Sequence, residues 1–91
     1  RHGYGGGVYV NSGGTFTQYA GTITGNEVEY GYGGGVYVEG TGMFTMNGGT
    51  ISGNTADLQR GGGGVYVAGG GTFNQKGGTI TDNTPNNILR K

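Results

Sequence analysis

The octapeptide GYGGGVYV at residues 3–10 recurs letter for letter at 31–38, and a shorter copy, GGGVYV, stands at 62–67. Val8 to Val36 is a step of 28 and Val36 to Val65 a step of 29. A fixed period of this size means stacked units, none of which can bury its apolar face alone. The extra residue of the longer step falls between Asn54 and Val65, where an insertion is expected to bulge outward and leave the repeat intact.

Each unit holds three short runs that alternate apolar and polar residues. In the first unit they are VYV at 8–10, TFT at 15–17 and TIT at 22–24. Alternation is the period of a strand, so Val8, Val10, Phe16 and Ile23 point one way and Tyr9 and the threonines the other. The second unit supplies Val36, Val38, Phe44 and Ile51, and the third Val65, Val67, Phe73 and Ile80. Glycine, at 26 positions, separates the runs where bends need it, whereas helix formers are scarce. Three strands joined by glycine corners describe one triangular coil. Coils are expected at about 5–32, 33–61 and 62–88 of a single domain, with 84–91 as a tail or cap.

Antiparallel hairpins closed by the same glycine-rich linkers are the rival topology. In a parallel solenoid each residue lies about 4.8 Å from its equivalent in the next coil, so like residues form ladders. Phe16, Phe44 and Phe73 recur in this way, as do Asn26, Asn54 and Asn83 after the third strand. A corner asparagine can satisfy backbone groups and pair with the next asparagine; it is also simply a good turn residue. The fold expected is an all-β, right-handed parallel β-helix of about three coils.

The GGGVYV, GTFT and GTIT-G-N phrases resemble the glycine-rich repeats of pectin-lyase-like parallel β-helices in bacterial surface and secreted proteins. Ile23-Thr-Gly-Asn26, Ile51-Ser-Gly-Asn54 and Ile80-Thr-Asp-Asn83 are loosely similar to the repeats of polymorphic outer-membrane passengers. The resemblance runs from about Gly5 to Ile88. It implies an extracellular or cell-surface setting, and leaves function open among lyases, adhesins and inert stalks.

Five basic and five acidic residues balance, which gives no field to gather nucleic acid. No apolar run is long enough to span a bilayer as a helix. The absence of cysteine excludes disulfides and thiolate metal sites. Arg1 begins within a repeat unit, as expected of a processed product or a piece of something longer.

Catalytic chemistry on such a scaffold needs converging carboxylates with a basic partner. Here Glu27, Glu29 and Asp57 follow the asparagine corner, Glu39 follows the first strand and Lys76 the second, so no catalytic site is expected. His2 lacks companion ligands. The G-x-G letters precede a strand and open no helix, and the repeated aspartate of a calcium-binding β-roll is missing. Arg60-Gly-Gly reads as a loop. Neither cofactor nor metal is expected.

Two outward features are candidate binding surfaces. Tyr9, Tyr37 and Tyr66 form a column, with Tyr4, Tyr30 and Tyr32 nearby, that could bind a glycan or protein; ordinary cross-strand stabilisation explains it too. Thr22, Thr24, Thr50, Ser52, Thr79 and Thr81 form an array of hydroxyls about 6.7 Å apart along each strand and about 4.8 Å between coils. It resembles the faces of ice-binding solenoids, although threonine is also the natural polar residue for an exposed strand face. The expected role is a non-catalytic structural solenoid that stacks end to end into a filament or forms part of a longer rod. An adhesin-type module is the alternative.

Overall fold

The computed structural model describes residues 2–4, 7–28, 30–56 and 61–90, with 2–4 and 30–32 given as backbone only. Among these residues there is no helix, and every named strand pairing is parallel. In chain order the strands are β1 (His2–Tyr4), β2 (Val8–Val10), β3 (Thr15–Gln18), β4 (Thr22–Thr24), β5 (Tyr30–Tyr32) and β6 (Val36–Val38). They continue as β7 (Met43–Met46), β8 (Thr50–Ser52), β9 (Val65–Val67), β10 (Thr72–Gln75), β11 (Thr79–Thr81) and β12 (Ile88–Arg90). The chain is a parallel β-solenoid.

Three stacks carry the repeat: β2-β6-β9, β3-β7-β10 and β4-β8-β11. Register is like on like, with Val8 on Val36 on Val65, Phe16 on Phe44 on Phe73 and Ile23 on Ile51 on Ile80. A shift of one residue would turn every apolar side chain outward, so the pattern itself holds the register. The phenylalanine rings stack at centroid distances of 5.2 and 5.0 Å and are inclined by 16° and 11°. With the valines and Ile51 they make one continuous core, in which Phe44 is wholly buried.

Two elements go beyond three strands per coil. β1 and β5 form a fourth, short parallel pair on the corner before the VYV strand. β12 pairs with β9 and adds a fourth rung to that stack alone. Ile88 packs against the core, whereas Leu89 lies on the outer face beside Tyr66. The insertion expected between Asn54 and Val65 lies partly in 57–60, outside the described residues.

The triple glycine marks where two backbones meet. A Cβ on Gly34 would come within 2.5 Å of the Thr55 carbonyl oxygen and 2.6 Å of that of Gly63. Only glycine allows that approach. The preceding Gly33 and Gly62 turn at φ values of 68° and 69°, against the bases of Tyr37 and Tyr66.

Candidate functional site: the asparagine ladder and the outer faces

The corner after the third strand holds a polar column beside the apolar core. Asn26 donates through its backbone N–H and its Nδ2 to Asn54 Oδ1, both at 3.0 Å. Asn54 donates in the same two ways to Asn83 Oδ1, both at 2.9 Å. Nδ2 of Asn54 also reaches up to the Ile23 carbonyl, and that of Asn83 to the Ile51 carbonyl, each at 3.0 Å. One acceptor serving two donors, repeated down the stack, gives the column a direction. Oδ1 of Asn54 and of Asn83 accepts from the coil above, and each backbone N–H of Asn26 and Asn54 donates to the coil below.

A fourth asparagine closes the column. Asn83 donates through its N–H and Nδ2 to Asn87 Oδ1, both at 3.1 Å. Asn87 is not at the repeat spacing. The first two corners run from Asn26 to Val36 and from Asn54 to Val65, but the last passes from Asn83 to Ile88 in five steps. The backbone of Asn87 therefore stands where the turn glycine would be, its carbonyl accepting from Val65 N–H at 2.8 Å. Only its side chain reaches under the ladder.

The tyrosine column is graded in exposure. Tyr9 and Tyr37 are 5.5 Å apart and tilted by 33°, whereas Tyr37 and Tyr66 stack at 5.3 Å and 2°. Tyr9 is 46% exposed, Tyr37 partly so, and Tyr66 only 6%. Leu89 lies beneath Tyr66 in register, and the Gly62 turn folds against it. The column offers its upper ring to solvent and hides its lower one. Tyr9 borders an open groove between β2 and β3 lined by Val8, Val10, Thr15 and Phe16. The side chains of Tyr4, Tyr30 and Tyr32 lie outside the described residues.

In the hydroxyl array, Thr22 lies over Thr50 and Thr79, and Thr24 over Ser52 and Thr81. Thr22, Thr24 and Thr79 are exposed, and Thr50, Ser52 and Thr81 are half-covered. The neighbouring outer face is less regular, since exposed Met43 separates Thr15 from Thr72.

Glu27 is exposed on the corner where Thr55 bridges to it, Glu39 is half-buried after β6, and Lys76 is exposed after β10. Glu29, Asp57 and Arg60 lie outside the described residues. Among the described residues no group of three or more His, Asp or Glu could hold a metal ion, and no helix is long and apolar enough to cross a membrane.

One inward position escapes the alternation of the sequence. Gln18 and Met46, at the ends of β3 and β7, both face the interior and are buried. Gln18 Nε2 donates to the Gly21 carbonyl at 3.3 Å, but its buried Oε1 has no partner. A polar residue over a methionine in matched register was the available signal.

No protein-family model, curated protein or solved structure matches this chain.

Proposed function

We propose that the chain is a non-catalytic structural β-solenoid module of an extracellular or cell-surface protein, contributing coils to a longer rod. The observation that carries this reading is the state of the N-terminal end. Val8, Phe16 and Ile23 are only partly buried there, whereas their equivalents Val36, Phe44 and Ile51 beneath are fully covered. What covers the lower three from above is the first coil, and a further coil would cover the upper three in the same way. End-to-end stacking of separate copies into a filament is the form this role takes when both ends are free.

The test is to build one more coil onto the N-terminal end, with residues 29–56 as its template, and to follow thermal unfolding. A structural module gains stability with the added coil, by the nearest-neighbour logic of repeat proteins. An unchanged midpoint would overturn the reading.

An adhesin-type module is favoured by a different observation, exposed Tyr9 beside its apolar groove. Saturable binding to a glycan or protein that Tyr9→Ala and Tyr37→Ala weaken would replace the structural reading. The hydroxyl array is tested by thermal hysteresis, which a purely structural module lacks.

A further inference from the structure

Residues 84–90 imitate a coil without being one. Asn87 supplies the acceptor that a next ladder asparagine would supply, and Ile88 pairs with Val65 as Val65 pairs with Val36. Leu89 takes the place of a tyrosine under Tyr66. Arg90 takes the place of a valine under Val67; its guanidinium lies 5.4 Å from the Phe73 ring centre, and Nη2 donates to the Phe73 carbonyl at 3.3 Å. The segment covers one side of the coil only, since β10 and β11 have no strand beneath them among the described residues. Residues 84–87 are exposed, and Ile88 and Leu89 only half-covered.

The opposite end carries the matching half of the ladder. Among the described residues nothing donates to Asn26 Oδ1, the group that at Asn54 and Asn83 accepts from the coil above. The groove beside Val8 and Phe16 is the apolar part of the same end. The surface under coil three presents donors from Asn83, and the surface over coil one presents an acceptor from Asn26. The corner spacing fits as well. β1 pairs with β5 so that His2 meets Tyr30, four residues after Asn26. The first coil therefore expects a ladder asparagine four residues before His2.

We propose that residues 84–90 are a plug on an interface whose other occupant, once the plug is removed, is the N-terminal end of a second copy of this chain. The plug blocks head-to-tail growth by taking the Asn83 donors and the lower edge of β9. An open pair of heterologous surfaces elongates without limit unless one is closed, and the plug closes one. This inference rests on the structural reading above and adds the partner and its control.

Two experiments test it. A chain ending at Thr84 should form concentration-dependent linear oligomers in sedimentation and electron microscopy, while the chain of residues 1–91 does not elongate. The chain of residues 1–91 added to them should shorten them in proportion to its dose, because its N-terminal end can dock and its lower end cannot continue. Should the truncated chain fail to fold, a tandem decides the matter: residues 1–84, one alanine, then residues 1–91 of a second copy. That junction places His2 four residues after Asn83 and repeats the Thr55-Ala56 sequence after Asn54. The tandem should melt in one transition at least about 5 °C above the single copy, and Asn26→Leu in the downstream copy should remove the gain. A folded truncated chain that stays monomeric, a chain of residues 1–91 that elongates by itself, or a tandem that melts with the single copy would each overturn the proposal. A saturable ligand would overturn the structural reading without moving the tandem's midpoint.

Discussion

Asn54 shows what a single residue contributes to a repeat. It is fully buried, accepts two bonds from above and donates to Asn83 and to Ile23, so its carboxamide is used at both ends. Asn54→Ala removes the acceptor of Asn26 N–H and Nδ2 and the Nδ2 donor to the Ile23 carbonyl, and leaves Asn83 Oδ1 with only the backbone N–H of residue 54. At about 1–3 kcal/mol for each buried group left unpaired, the loss should be roughly 3 kcal/mol or more in chemical unfolding. Asn54→Asp, which cannot donate, should fail to restore it. The opposite sign is expected at Gln18, whose buried Oε1 is unpaired above Met46. Gln18→Met replaces an unsatisfied carbonyl by a side chain that the coil below already holds, and should stabilise by about 1 kcal/mol; a loss of stability would show that the amide is satisfied in solution. Asn26, Asn54 and Asn83 were legible because they recur at the coil period. Asn87 was not, because it joins the ladder from a shortened corner, and no period points to a residue four positions on.

The strands that alternate valine, phenylalanine or isoleucine with a polar residue were all legible as elements, since alternation records which face is buried. β1 and β5 were not: HGY and YGY have glycine at the centre and no apolar alternation, and their pairing follows from the position of the corner in the stack. β12 escaped for another reason. Ile-Leu-Arg shows no alternation, and its partner β9 is known only once the last corner is seen to be short. The graded tyrosine column belongs to this scale too, because Leu89 and the Gly62 turn, not the tyrosines, decide that Tyr66 is hidden. In the phenylalanine stack, coupling between elements is strongest at the middle strand. Phe44 touches a ring on both sides, whereas Phe16 and Phe73 each touch one. Phe44→Ala should cost about 3–5 kcal/mol, more than Phe16→Ala, whose ring is already partly in solvent. Equal losses at the two sites would mean that neither the second ring contact nor the fuller burial of Phe44 adds stability.

The molecule measures 28 × 25 × 17 Å, broad across the coil and only a few rungs deep at about 4.8 Å per rung. In so short a stack most coils are end coils, and stability must fall away from the middle. The two ends also differ. Below, β12, Asn87 and Arg90 close part of the third coil. Above, the first coil bonds downward, with Val8 N–H to the Gly35 carbonyl and Glu39 N–H to the Val10 carbonyl, and its core residues stay half-covered. Opening the first coil therefore breaks one interface, whereas opening the second breaks two. Native-state hydrogen exchange should accordingly rank the amides of β6, β7 and β8 as the slowest, β9 close behind, and β2, β3 and β4 as the fastest of the repeat strands. At a concentration too low for end-to-end association, removal of residues 84–91 should bring β9 toward the rates of β2 without changing β4. If all three coils exchange at one rate, the solenoid opens as a single unit, and the difference between its ends would have no energetic weight. If β2 is the slowest, something other than the described coils holds the N-terminal end.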